Sequence, residues 1–151
     1  MRRRIMVLFE SASIRRESLR YAIELAKRMN SNLILLVILA FEGRRKGSNG
    51  VETIIKRGEQ AKASLENHIK TIQNEGISVE TTVRIGNPRS ELVKYLAENG
   101  RFEIIVWGGG PDMMKRKDHW LVRMKDVLKC PVVTPFIKTD VDIHDVGNQQ
   151  R

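Results

Sequence analysis

The chain has 151 residues, of which 41% are hydrophobic and 30% charged, a composition that is typical of a folded domain and excludes global disorder. Its formal net charge of +9 at pH 7 favours anionic partners, such as nucleotides, nucleic acid or an acidic membrane surface, without choosing among them. The single cysteine, Cys130, excludes an internal disulfide and is typical of a reducing environment.

The amino terminus begins like a signal peptide but lacks the apolar segment that a signal peptide needs. After Met1 and three arginines, the apolar run covers only residues 5–9 and is followed by Glu10. No stretch approaches the roughly 20 apolar residues that cross a bilayer. We therefore expect a cytoplasmic protein without a membrane anchor.

Apolar runs typical of buried strands alternate along the chain with segments in which apolar residues recur at helical spacing. The first run is apolar throughout, as in a strand that helices cover on both faces. Before one of the later helices, Asn87 provides an N-cap and Pro88 a first helical residue. In chain order, the pattern predicts strand 5–9, helix 16–29, strand 33–40, helix 51–75, strand 77–85, helix 88–98, strand 103–107, helix 119–128 and a last strand that starts at 131–133.

This alternation predicts an α/β fold in which parallel strands are joined by right-handed crossovers. The result is a doubly wound, three-layer α/β/α sandwich, although periodicity does not determine the strand order. Ligands of such folds bind beyond the carboxyl ends of the strands, where the strand order reverses. We expect one domain over residues 1–137 and a polar tail over residues 138–151.

Three glycines, Gly108, Gly109 and Gly110, directly follow the predicted fourth strand. Glycines in this position often form a phosphate-binding loop, and the alternative is a tight connection that needs no ligand. The dinucleotide-binding pattern is broken, because Met113 stands where its third glycine is required. The other glycine-rich segment, GRRKGSNG, lacks the Gly-Lys-Ser/Thr of a P-loop.

Three basic clusters follow predicted strands and are expected at one edge of the sheet. One hypothesis is that their side chains surround a cleft and bind an anionic ligand, such as a nucleotide, through charge and hydrogen bonds. The alternative is that they are solvated loop charges. The clusters are Arg15 and Arg16; Arg44, Arg45 and Lys46; and Lys115, Arg116 and Lys117.

Catalytic and metal-binding patterns are scarce. The three histidines lack the spacing of a helical metal site, and Cys130 has no neighbouring histidine or cysteine. An acid–base group of Asp112, Asp118 and His119 beside the glycines is the weakest of the alternatives. We therefore expect no enzyme and no metal site.

Several segments, taken in order, resemble the universal stress protein family over roughly residues 3–135. They are RRIMVLFES, SLRYAIELAKRMNSNLILLVIL, VRIGNPRSELVKYLAE, FEIIVWGGG and KCPVVTP. The resemblance implies a flavodoxin-like, Rossmann-like sheet of five strands in the order 3-2-1-4-5. It also implies a binding domain of the stress response and a homodimer that pairs through the last strand, Pro131 to Phe136, although Pro135 removes one ladder hydrogen bond.

ATP-binding members of that family carry Gly-x2-Gly-x9-Gly-Ser/Thr after the fourth strand. Here Gly108 matches the first position, but Pro111 takes the second and Leu121 and Val122 the last two. Proline has no amide hydrogen and valine no hydroxyl for a phosphate. By resemblance, Glu10 replaces the acidic residue that contacts the nucleoside, and Ile38 occupies an apolar position against the adenine.

These observations predict a binding domain with weak or altered affinity for ATP, AMP or another nucleotide. The ligand site is expected at Glu10, Ile38, the three glycines and the basic residues from 44–46 and 115–117. A nucleic-acid-associated protein is the first alternative, which 5% aromatic content and the lack of a recognised motif disfavour. An ATP-binding stress protein with slow ATP hydrolysis is the second.

Overall fold

The computed structural model describes residues 3–41 and 49–135. Strands and helices alternate in the described chain as the periodicity predicts. The elements are β1 (Arg4–Phe9), α1 (Arg16–Met29), β2 (Asn32–Ala40), α2 (Asn49–Asn74), β3 (Val79–Gly86), α3 (Pro88–Asn99), β4 (Ile104–Trp107), a short 3-10 helix (Pro111–Lys115), α4 (Trp120–Met124) and β5 (Val132–Val133).

The strands form one five-stranded sheet in the order β3-β2-β1-β4-β5. All neighbouring strands are parallel, with Leu8 of β1 paired to Leu36 of β2 on one side and to Trp107 of β4 on the other. This confirms the predicted fold class and strand order. The strand order reverses between β1 and β4. The segments that follow these two strands therefore diverge as they leave the sheet.

Two apolar cores lie on the opposite faces of the sheet, because successive strand residues point in opposite directions. Ile5, Val7 and Phe9 pack with α1 and α2, whereas Met6 and Leu8 pack with α3 and α4. Residues 33–39 of β2 are all buried, which is why this strand is apolar at every position.

The start of α3 and the end of α1 follow ordinary capping chemistry. The Asn87 side chain accepts a hydrogen bond from the Ser90 amide at 3.0 Å, as predicted for the start of α3. Asn30 ends α1 in the left-handed conformation with φ of 50°, which asparagine adopts more readily than most residues.

An ion-pair cluster ties α1 to the end of α2. Glu75 accepts hydrogen bonds from Arg20 at 2.7 and 2.8 Å and forms an ion pair with Lys27 at 2.6 Å. The hydrogen bond from Arg20, followed by that from Lys27, lowers the pKa of Glu75 from 4.5 to about 2. Glu24 extends the cluster along α1 through Arg20.

The predicted helix over residues 119–128 is shorter in the structure. His119 is the N-cap of α4, which ends at Met124, and the amides of Val127 and Leu128 both donate to the Met124 carbonyl. This tight turn redirects the chain towards β5, so the apolar spacing beyond Met124 belongs to a turn. In the part of the chain that the structure describes, no helix is long and apolar enough to span a membrane.

Candidate functional site

A cleft of about 540 Å³ opens at the carboxyl ends of β1, β2 and β4, at the point where the strand order reverses. The loop after β1, the end of β2 and the loop after β4 provide its walls. The lining residues are Phe9, Glu10, Ser11, Ser13, Ala40, Trp107, Gly108, Gly109, Gly110, Asp112, Met113, Arg116 and His119. The cleft therefore lies where the fold predicts a ligand site.

Glu10 is held by two aromatic residues at the start of α4. Its carboxylate lies 3.2 and 3.3 Å from Nε2 of His119 and accepts a hydrogen bond from the Trp120 indole at 3.3 Å. The Glu10 side chain is still 39% exposed, whereas the His119 side chain is 3% exposed. A buried histidine thus fixes a carboxylate whose other face is open to the cleft.

The hydrogen bonds around His119 assign its tautomer. The Leu121 amide donates to Nδ1 at 3.1 Å, so Nδ1 carries no proton. The proton of the neutral ring is then on Nε2, which donates to Glu10. The His119 ring also packs edge-on against Trp107, with 5.1 Å between ring centroids, and stacks on Trp120, with 5.7 Å between centroids. It therefore has little freedom to rotate.

Packing inside the protein explains two of the three glycines after β4. A Cβ at Gly108 would lie 2.2 Å from Cδ1 of Phe9, and the Gly108 amide donates to the Leu8 carbonyl at 2.7 Å. A Cβ at Gly109 would lie 2.8 Å from the Trp107 indole, which folds over the loop and donates to the Gly110 carbonyl at 3.2 Å. A Cβ at Gly110 would meet no atom within 4 Å.

The amides of Gly109 and Gly110 form no hydrogen bond with another described residue, and both glycines line the cleft. This loop therefore combines the two sequence-based interpretations. Gly108 and Gly109 are required for close packing, and the loop still presents backbone donors to the cleft.

The model of the universal stress protein family matches residues 1–111. The chain belongs to this family. No curated protein matches the chain.

Solved structures of family members share the fold. Universal stress protein UspA from Lactobacillus plantarum is 15% identical, with a TM-score of 0.71 over 89% of this chain and 97% of that one. A family protein from Arabidopsis thaliana, solved with AMP bound, is 14% identical, with a TM-score of 0.56 over 96% and 98%. The family protein from Archaeoglobus fulgidus in complex with dAMP is 20% identical, with a TM-score of 0.50 over 87% and 96%.

The residues at the positions of the family's ATP motif either lack a donor or are engaged in contacts within the protein. Pro111 begins the 3-10 helix and has no amide hydrogen to donate. Leu121 is fully buried and its amide donates to His119, while Val122 packs partly buried against the core. Only Gly108 retains the motif residue, and its amide bonds to Leu8.

Most of the basic-cluster residues that the structure describes lie outside the lining of the cleft, contrary to the hypothesis. Arg116 lines the cleft, whereas Lys115 and Lys117 are exposed and outside its lining. Arg15 instead donates to the Pro135 carbonyl at 2.8 Å and pairs with Glu17 at 3.7 Å. Arg16 is exposed and does not line the cleft. The cluster Arg44, Arg45 and Lys46 lies outside the described residues.

The structure also places two other predicted sites differently. Ile38 is fully buried and packs on the α3 and α4 side of the sheet, so Ala40, two residues later, lines the cleft instead. His119 pairs with Glu10 rather than with Asp112 or Asp118. The pairing was missed because 109 residues separate the partners, and only the acidic residue after β1 and the histidine before an apolar run hinted at it.

Within residues 3–41 and 49–135, no group of three or more histidine, cysteine, aspartate or glutamate side chains is arranged to hold a metal ion. His119 and Glu10 have no further carboxylate, thiol or imidazole with which to complete such a group in this part of the chain. Glu10, Arg116 and the loop amides offer hydrogen bonding and charge pairing at the cleft.

Proposed function

We propose that this protein is a nucleotide-binding domain of the stress response that binds a nucleoside monophosphate, such as AMP, in the cleft and does not act as an enzyme. The observation that carries the proposal is the cleft itself, which brings a fixed carboxylate, two backbone amides and one guanidinium together where the strand order reverses. The family relatives with bound AMP and dAMP support the ligand class.

The size and polarity of the cleft suit a nucleotide. Its volume of about 540 Å³ is in the usual range for small-molecule sites. We propose that the open face of Glu10 accepts hydrogen bonds from ribose hydroxyls, because an ionised carboxylate only accepts. Arg116 and the amides of Gly109 and Gly110 then bind the phosphate, which pairs well with guanidinium and backbone donors.

The same geometry argues for one phosphate rather than three. Additional phosphates would need donors from Pro111 and from the start of α4. Proline offers none, and the Leu121 amide is already bonded to His119 at 3.1 Å. We therefore propose that ATP binds more weakly than AMP, and that Mg²⁺ adds little to the affinity.

Binding without hydrolysis follows from how the polar side chains are engaged. Both ring nitrogens of His119 are hydrogen-bonded, and Nε2 already donates its proton to Glu10. His119 is therefore not placed to activate a water molecule without first losing these contacts, and we propose that the ribose hydroxyls occupy the open face of Glu10. A slow ATPase is the alternative, and phosphate release from ATP would reveal it.

A thermal-shift titration with AMP, cAMP and ATP, each with and without Mg²⁺, tests the proposal. Ligand at about 100 times its dissociation constant adds about 2.7 kcal/mol of apparent stability, or roughly 5–10 °C for a domain of this size. Arg116→Glu is expected to abolish the AMP shift, because it places a carboxylate against the phosphate. Lys117→Glu is the matched control, with the same charge change outside the cleft lining.

Two results contradict the proposal. The first is an ATP shift that exceeds the AMP shift and depends on Mg²⁺. The second is an AMP shift that survives Arg116→Glu, or is lost equally in Lys117→Glu. Binding of polyanions that falls steeply with salt while free nucleotides have no effect would instead favour the nucleic-acid alternative.

We also propose a cytoplasmic homodimer that pairs through β5. This strand is at the edge of the sheet and therefore has one side of its backbone without a neighbouring strand among the described residues. Analytical ultracentrifugation measures the assembly state. In the parallel pairing with β4, the Val132 amide faces the open edge, because the Ile105 amide donates to the Pro131 carbonyl. Val132→Pro removes this outward donor, so it is expected to weaken a dimer, and an unchanged dimer would place the interface elsewhere.

A further inference from the structure

A second cavity, of about 350 Å³, lies at the opposite end of the sheet from the nucleotide cleft. It is formed by the end of α3, the residues before β4 and the turn between α4 and β5. Leu96, Phe102, Met124 and Leu128 contribute its apolar walls. Phe102 precedes β4, whereas the cleft follows it, so about 13 Å of strand separates the two sites.

The mouth of this cavity exposes aliphatic side chains that a folded protein usually covers. Val93 is 49% exposed and Val127 is 64% exposed, and both line the cavity. Two large aliphatic residues that frame an apolar hollow provide a surface for a hydrocarbon chain, because its burial removes apolar area from water on both partners.

Two cations accompany this apolar surface. Arg101 and Lys129 are exposed residues that line the cavity, and no acidic residue is part of the lining. Among the described residues, neither side chain forms an ion pair. An anionic headgroup would therefore find two positive charges that are not already neutralised.

The one thiol in the wall does not disturb this apolar character. Cys130 lines the cavity and is partly buried. Burial, and secondarily the charge of Glu103, raises the pKa of the Cys130 thiol, so it remains neutral at pH 7. It also provides a chemical reporter inside the cavity.

We propose that this cavity binds a medium-chain fatty acid, with its hydrocarbon chain against Leu96, Phe102 and Leu128 and its carboxylate against Arg101 and Lys129. The cavity is near the lower end of the usual volume range for ligand sites, which suits a medium rather than a long chain. An alcohol of the same length lacks the charge, and an alkylammonium ion has the wrong one.

Protection of Cys130 from a maleimide reagent tests the site in the full-length protein. Decanoate below its micelle-forming concentration is expected to slow labelling in a saturable manner, with one equivalent bound in a calorimetric titration. Decanol is expected to protect more weakly, and decyltrimethylammonium least. Equal protection by all three compounds, or none by decanoate, would overturn the proposal.

Charge-reversal variants add a matched comparison. Arg101→Glu combined with Lys129→Glu is expected to weaken decanoate at least about tenfold, because two charge-assisted contacts become repulsive. Arg123→Glu combined with Lys125→Glu has the same change in net charge at exposed positions outside the cavity lining, and is expected to bind normally.

Two further outcomes refute the fatty-acid site. One is equal weakening in both double variants, which would indicate only a general effect of net charge. The other is binding to phosphatidylglycerol vesicles without saturable binding of free decanoate, which would indicate a membrane surface as the partner. AMP binding is measured in the same variants and is expected to be unchanged, so this test is independent of the nucleotide proposal.

Discussion

Replacing Gly108 with alanine tests whether this glycine is present for packing or for a ligand. The added Cβ would lie 2.2 Å from Cδ1 and 2.4 Å from Cε1 of Phe9, against the roughly 3.5–4.0 Å of a normal carbon contact. It would also lie 2.9 Å from the Leu8 carbonyl oxygen. Phe9 is 1% exposed, so relief of this overlap requires its ring to leave its packed position in the core.

The size of this overlap sets the expected loss of stability. Overpacking a well-packed core typically costs about 1–3 kcal/mol, and an overlap of more than about 1 Å with a ring, together with a close approach to a backbone oxygen, belongs at the upper end. For a domain of this size, about 3 kcal/mol corresponds to a fall of roughly 6–12 °C in Tm. Urea and thermal unfolding, both without ligand, measure the effect.

Gly110 provides the matched control in the same loop. A Cβ there meets no atom within 4 Å, and its φ of −74° and ψ of 169° suit alanine. Gly110→Ala is therefore expected to change the free energy of unfolding by less than about 0.5 kcal/mol. If Gly108→Ala is as stable as Gly110→Ala, the packing explanation is wrong.

A second variant identifies the clashing partner. Phe9→Val removes the ring atoms that Gly108→Ala meets, so the double variant is expected to lose less stability than the sum of the single variants. Part of the cost remains, because the Leu8 carbonyl is still 2.9 Å away. Strict additivity would show that Phe9 is not the obstacle.

Three other predictions concern stability. His119→Phe keeps a buried ring but leaves the Leu121 amide without its acceptor. Urea unfolding is therefore expected to show a loss of about 1–3 kcal/mol in the free energy of unfolding. An unchanged urea midpoint would refute the assigned tautomer. Asn87→Ala is expected to cost about 1 kcal/mol in the same assay through loss of the α3 cap, with Asn87→Ser restoring most of it; equal losses in both would exclude capping as the cause. Because the folded-state pKa of Glu75 is depressed to about 2, its ion pairs stabilise the protein above pH 4.5 and this contribution disappears as the pH falls from 4.5 towards 2. Glu75→Gln is therefore expected to lower Tm at pH 7 but not near pH 2, while Glu66→Gln, at an exposed position, is expected to have no effect at either pH.

The secondary structure was readable from the sequence wherever local chemistry decides it. The apolar run of β2, the Asn87 cap with Pro88, and the helical spacing in α1 each depend on neighbours in the chain. The limits of α4 were less readable, because its apolar spacing continues beyond Met124 into a turn that the hydrogen bonds of Val127 and Leu128 define.

The candidate site was only partly readable. Glu10, the three glycines and Arg116 were expected at the cleft and line it. Ile38 was expected there and is buried in the α3 and α4 core, because it lies two residues before the end of β2, and only Ala40 at that end reaches the cleft. Arg15 was expected to face the cleft and bonds to Pro135, a carbonyl 120 residues away.

The amino-acid sequence by itself determined the α/β architecture and the presence of a glycine loop after β4, because hydrophobic periodicity and the backbone freedom of glycine are local properties. It also determined that the ATP motif is incomplete at Pro111, Leu121 and Val122. Only the tertiary structure decided what replaces that motif, since the hydrogen bonds from His119 and Trp120 to Glu10 join residues more than 100 positions apart. Such contacts depend on how strands and loops are arranged in space, and a pattern read along one chain does not contain that arrangement.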